Sequence, residues 1–171
     1  MKYLIVFTIL LIQFSSFLNA KEYQISSPDS KIEVTVSVGN EMKYSVKFDK
    51  NVVVEPSSIA FTFRQAPPVG KDLQVISDKT FTIDETWKPV LKRFETIRNH
   101  FNGLKIEMKE IRFPSRLINL EFRVFNDGVA FRTEFPEQQF NHEYVISDEL
   151  SQFNFALSHT CWAVNYGSYT T

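Results

Sequence analysis

Hydrolysis of a glycosidic bond needs two carboxylates facing each other across the sugar. Adjacent acids occur in this 171-residue chain at Asp84-Glu85 and Asp148-Glu149, and Glu134 lies near Glu137. With 20 acidic residues, such neighbours arise from composition alone, and both pairs read as solvated carboxylates at turns. The three histidines, His100, His142 and His159, make no H-x-x-x-H pair or other zinc spacing. His142 and Glu143 are neighbours whose side chains would diverge on a strand. One cysteine cannot build a thiolate site, and Cys161 in "HTCWAV" reads as a small buried hydrophobe rather than a nucleophile. There is no G-x-S-x-G, no G-x-G-x-x-G, no P-loop and no calcium loop of the Asp-x-Asp type. The chain carries no self-sufficient catalytic constellation and no cofactor motif.

Aromatic and amide residues remain. Trp87 in "DETWKP" and Trp162, Asn165 and Tyr166 in "CWAVNYGSY" are types that line sugar sites, a ring stacking on the pyranose while amides bond its hydroxyls. Each tryptophan also has a plainer use. Trp87, beside charged residues and Pro89, suits packing in the core or against another domain, and Trp162 lies in irregular chain where either use fits.

The elements that must position these residues are strands. Lys2, the apolar run from Tyr3 to Ile12 and a polar stretch ending at Ala20 have the layout of a secretory signal peptide, too short to span a bilayer. Residues 1–20 are expected to be removed, leaving residues 21–171 exported. Without Lys2 there are 18 basic and 20 acidic residues, too little positive charge for a general nucleic-acid binder. No later run is apolar enough for a membrane span. After Ala20 the apolar period is two: Ile32, Val34, Val36 and Val38, then Met42, Tyr44, Val46 and Phe48 after a break at Gly39-Asn40. Asp49-Lys50-Asn51 turns the chain, and "IAFTF" and "FTIDETW" read as further strands.

Two stretches decide the topology. In "TIRNHFNGLKIEM" a helix would carry Asn102 and Gly103 inside it, a cost of about 1 kcal/mol for the glycine alone. A hairpin turning at Asn102-Gly103 instead places Phe101 opposite Leu104, Arg98 opposite Glu107 and His100 opposite Lys105. The spacing therefore predicts a hairpin. In "LEFRVFNDGVAFRTEF" a two-residue turn would oppose Glu121 to Glu134 and Arg123 to Arg132. A four-residue loop from Phe125 to Gly128 opposes Glu121 to Arg132, Phe122 to Phe131 and Val124 to Val129, and is preferred. About ten short strands without repeat or linker imply an all-β, antiparallel β-sandwich.

Several segments in order, "SPDSKIEVTVSVGNEMKYSVKF", "VGKDLQV", "DETWKPV", "ETIRNHFNGLKIEM", "LEFRVFNDGVAFRTEFPEQ" and "ISDELSQFNF", resemble the N-terminal domain of glycoside hydrolase family 97. "TWKP" followed by "TIRNH", and "NDGVAFR", carry the likeness most specifically. The chain departs from the family at Ala163, where an aromatic is usual. The resemblance implies a secreted or periplasmic glycosidase acting on oligosaccharides with α-glucosidic or α-galactosidic bonds. It implies a mutarotase-like super-sandwich packed on a (β/α)8 catalytic barrel that holds the catalytic carboxylates, and calcium in one branch. The barrel is absent from these residues, so the chain is expected to stop inside the sandwich and to be inactive by itself. The likeness also gives "RNH" a second role at the contact with the barrel. Since Arg98 has a partner in Glu107 in the hairpin, Asn99 and His100 are the stronger candidates there. A free-standing secreted carbohydrate-binding sandwich is the alternative, and a sandwich that binds no sugar is the third reading.

Overall fold

The computed structural model describes residues 20–64, 66–90, 94–138, 145–158 and 160. The apolar leader up to Asn19, Cys161, His142 and His159 lie outside the described residues. Ten strands run in order: β1 (Lys21–Ser26), β2 (Ile32–Val38), β3 (Met42–Phe48), β4 (Asn51–Ser58), β5 (Phe61–Phe63), β6 (Leu73–Trp87), β7 (Ile97–Glu110), β8 (Leu117–Phe125), β9 (Val129–Glu134) and β10 (Ile146–Glu149). No helix occurs among the described residues. Two four-stranded antiparallel sheets, β1-β2-β3-β4 and β6-β7-β8-β9, face each other, with β5 and β10 forming a short ribbon beside them.

Alternation sets the inner faces. Ile32, Val34, Val36 and Val38 of β2 are buried, as their spacing predicts, and so are Met42 and Tyr44 of β3. The second sheet answers with Leu104, Ile106 and Met108 from β7 and Ile118, Leu120, Phe122 and Val124 from β8. Tyr44 joins the sheets, its ring 5.7 Å from Phe122 and 5.1 Å from Phe131. Between β3 and β4, Phe48 pairs with Asn51 and both intervening residues have positive φ, Asp49 at 47° and Lys50 at 69°. That is the backbone of a two-residue primed turn, whose twist matches the flanking strands.

The hairpin at the Phe125–Gly128 loop has the register its charges predict. Glu121 pairs with Arg132, Phe122 with Phe131 and Val124 with Val129, and Phe125 N donates to Gly128 O at 2.8 Å. The Glu121 side chain is nearly buried. Burial pushes its carboxyl up, but hydrogen bonds from Arg123 Nε (2.7 Å) and Arg132 Nη2 (2.9 Å) outweigh this and hold it below the ordinary value.

The hairpin expected at Asn102-Gly103 does not form. β7 runs straight through it for 14 residues, between β6 and β8. The reason is steric and long-range. Gly103 pairs with Phe81 on one side and Arg123 on the other, and the Phe81 ring lies over it. A Cβ on Gly103 would stand 2.6 Å from Cε1 of that ring. Phe81 in turn meets Phe101 edge-on, with ring centroids 6.0 Å apart. Asn102 is satisfied without a turn: its Oδ1 accepts from Thr82 Oγ1 and its Nδ2 donates to Ser26 O in the opposite sheet, each at 2.8 Å.

The connection from β7 to β8 closes on a buried ion pair. Arg116 Nε and Nη2 each donate to the Glu110 carboxylate at 2.7 Å, and Nη2 also reaches Pro68 O at 3.2 Å. The guanidinium lies 5.3 Å from the centre of the Phe63 ring. Both side chains are almost wholly removed from water, so losing one strands the other charge.

Two stability predictions follow from these contacts. Gly103→Val should lower the unfolding free energy by about 1–3 kcal/mol through overpacking. Adding Phe81→Ala should make the pair less damaging than the two single costs summed, as read by urea denaturation. Glu110→Ala should cost about 3–5 kcal/mol in the same assay, because Arg116 is left buried and unpaired.

Candidate functional site

β8 leaves β7 at the pair Phe101–Phe125, while β6 and β7 continue together to Trp87 and Ile97. Among the described residues, Ile97 to His100 therefore have a strand on one side only. The vacated space beside them is an open cleft of about 780 Å³, lined by Trp87, Ile97, Arg98, Asn99, His100, Phe125, Asn126 and Asp127. Asn126, at the β8–β9 turn, is anchored where its Oδ1 accepts from Asp29 N at 3.0 Å.

Strand alternation sorts the lining onto two faces of β7. Trp87 lies opposite Ile97, Glu85 opposite Asn99, and Ile83 opposite Phe101 on one face. Thr86 opposite Arg98 and Asp84 opposite His100 occupy the other. Trp87 is 50% exposed, so it is not a core residue: the strand pair carries it past the pair Phe101–Phe125 where β8 ends. Asn99 Nδ2 donates to Glu85 Oε1 at 2.8 Å. Arg98 donates from Nε and Nη2 to both oxygens of Asp84, each at 2.8 Å. Its partner is thus Asp84 and not Glu107, which instead accepts from Ser77 Oγ at 2.7 Å. His100 stands across from Asp84 rather than Lys105, which pairs with Lys79 and Glu121.

Three of the six candidate residues come together in this cleft: Trp87, expected from its type, and Asn99 and His100, expected from the family resemblance. Trp162, Asn165 and Tyr166 lie outside the described residues. Asp84 and Glu85, expected to be solvated turn acids, and Arg98, expected to pair with Glu107, instead pair with one another and with Asn99 at this cleft. The acids are strand residues, not turn residues, and so are Asp148 and Glu149 in β10. The missed signal was the equal spacing of "DETW" and "IRNH", which lets two antiparallel strands oppose acid to base and acid to amide. A second, apolar groove of about 410 Å³ lies between Tyr44, Phe131 and Phe153, but lacks the convergent polar groups that recognition of a polar ligand needs.

Among the described residues, no three His, Cys, Asp or Glu side chains come together to hold a metal ion.

The described residues thus form an all-β antiparallel sandwich with an aromatic and amide cleft at one end. The glycosyl-hydrolase 97 N-terminal family model matches residues 25–171, and the chain belongs to that family. It is 28% identical over 112 residues to the retaining alpha-galactosidase of Bacteroides thetaiotaomicron, covering 66% of this chain and 16% of that protein. A glycoside hydrolase family 97 enzyme from Pseudoalteromonas sp. strain K8, solved in complex with panose, shares the fold with a TM-score of 0.74 and 22% identity, covering 78% of this chain and 20% of that one. A beta-arabinopyranosidase superposes with a TM-score of 0.71 at 20% identity, covering 79% and 21%. The chain therefore spans about a fifth or less of each relative's length.

The Arg98 pair sets a pH prediction. Hydrogen bonds from Arg98 hold the Asp84 carboxyl below the ordinary aspartate value. A group whose folded value is depressed contributes stability at neutral pH and loses it as pH falls through that depressed value. Both partners are largely exposed, so the contribution is small. In carboxyl-detected NMR titration, Asp84 should titrate below a free aspartate, and Arg98→Met should move it upward.

Proposed function

We propose that this domain is the carbohydrate-binding, active-site-buttressing N-terminal part of a secreted glycoside hydrolase that cleaves α-glucosides or α-galactosides. The observation that carries this reading is the half-exposed Trp87 ring beside Asn99, His100 and Arg98 in one open cleft. A ring flanked by fixed hydrogen-bonding groups is the lining that a pyranose needs. The alpha-galactosidase relative and the panose-bound family 97 enzyme support the substrate class. The basic and apolar leader supports export, to the periplasm in a bacterium with two membranes. Catalysis is assigned to a (β/α)8 domain outside these residues.

The buttressing half of the reading rests on a second surface. Ile146, Leu150, Phe153, Phe155 and Leu157 form an apolar stretch, each of them 47–71% exposed. A concentration of apolar side chains on one segment suits burial against another body, as expected of a domain that leans on a barrel.

Titration calorimetry of the purified chain against malto- and galacto-oligosaccharides tests the reading. Binding should be measurable, and Trp87→Ala should weaken it roughly tenfold. Absence of heat with every sugar would remove the carbohydrate half of the reading and leave the buttress. Hydrolysis of a nitrophenyl α-glycoside at an enzyme-like rate would contradict the assignment of catalysis to another domain.

A further inference from the structure

We infer that Glu85 is a positioning residue: it fixes the Asn99 amide so that the cleft presents Asn99 Oδ1, an acceptor, to a donating hydroxyl of a neutral sugar beside Trp87. The inference rests on the saccharide reading of the cleft and adds which atom does the reading and what holds it.

The two residues are direct partners in the β6–β7 ladder, on the face that also carries Trp87 opposite Ile97. A carboxylate only accepts hydrogen bonds, whereas an amide has a donating and an accepting end. Glu85 Oε1, 2.8 Å from Asn99 Nδ2, therefore decides which way the amide points. With the amide turned over, two oxygens would face each other without a proton between them. Nδ2 is committed to Glu85, so Oδ1 is the end left for a ligand, and no donor meets it among the described residues.

Trp87 is the diagonal neighbour of Asn99 across the strands, a separation of about 7–8 Å that one sugar ring can bridge. From the other face of β7, Arg98 spends Nε and Nη2 on Asp84 and keeps Nη1 as a donor. Its charge is already matched by Asp84, while Asp127 adds negative charge to the lining and Glu85 stands directly behind Asn99. A uronic acid or a sulfated sugar would meet that surplus unfavourably. A neutral sugar, whose hydroxyls donate and accept, suits an acceptor on one face and a donor on the other.

The experiment replaces one hydroxyl at a time. The NMR shift of the Trp87 indole N–H gives Kd for methyl α-glucoside, methyl α-galactoside and their monodeoxyfluoro analogues, with the unmodified chain and with Glu85→Gln. Fluorine cannot donate, so at the hydroxyl that Asn99 Oδ1 reads, the unmodified chain should lose about three- to tenfold in affinity. Glutamine offers both a donor and an acceptor, so in Glu85→Gln the Asn99 amide can turn over. The loss at that same position should then shrink to less than about twofold, with the unfolding midpoint unchanged. A fluoro loss identical in both proteins would overturn the positioning role. Binding of every analogue as tightly as its parent would overturn the acceptor role. If neither parent glycoside binds, the saccharide reading itself falls, and that failure is recognised by the parents alone.

Discussion

The second sheet depends on Gly103 having no side chain. Phe81 occupies the place where a Cβ would stand, and its ring then meets Phe101 edge-on. With that contact made, β7 has no reason to turn at Asn102-Gly103 and pairs along nearly its whole length with β6. Asn102, the residue that would have opened the turn, bonds Thr82 beside it and Ser26 in the facing sheet. A glycine in a strand is a weak point unless something packs over it. Here an aromatic from the neighbouring strand does so, and the weak point becomes a junction.

Where the cleft lies follows from the same continuity. β8 is shorter than β6 and β7 at this end, and its last pair with β7 is Phe125 with Phe101. A hairpin at Asn102-Gly103 would have ended the sheet near Phe101 and folded Ile97 to His100 back along it. The continuous strand instead carries those four residues past the sandwich, with one edge open. Trp87, Glu85 and Asp84 arrive opposite them because the β6–β7 ladder is antiparallel and in register there. The β6–β7 wall of the site is thus built by strand pairing, and the β8–β9 turn closes it with Asn126 and Asp127. The side chains of that wall are held by a ladder of backbone hydrogen bonds, which places them more exactly than a loop would.

How much of this can be read in the sequence depends on the range of the interaction. β2, β3, β8 and β9 are legible because alternation identifies the buried face from one strand at a time. The β8–β9 register is legible because both partners lie within a few residues of the turn, where like charges at Glu121 and Glu134 exclude the shorter loop. β7 is not legible by the same rule. Its local pairing, Arg98 with Glu107 and His100 with Lys105, looks chemically sound, and Asn-Gly is a strong turn signal. What overrides it is Phe81, more than 20 residues earlier, and a local pattern assigns no partner to "FTIDETW". Trp87 is recognisable by its type, and Asn99 and His100 by the resemblance of the "TIRNH" segment. Arg98, Asp84 and Glu85 are not, because their role exists only once β6 and β7 are paired.

The polar groups divide into two kinds with different consequences. Arg116 with Glu110, and Glu121 between Arg123 and Arg132, are inside or against the body of the sandwich, and each member there meets an opposite charge. Such pairs add specificity of register more than net stability, since desolvation offsets much of the attraction. In the cleft the pairing leaves groups over: Asn99 keeps an oxygen and Arg98 keeps a nitrogen. Those remainders stand on a two-stranded projection, and a two-stranded ribbon gains little stability of its own in water. Its order here comes from Phe81, Phe101 and Phe125 packed at its root. A ligand or a neighbouring domain that covers Trp87 would add the apolar contact this end lacks. Binding at the cleft and ordering of the ribbon are then favoured by the same burial, so either one strengthens the other.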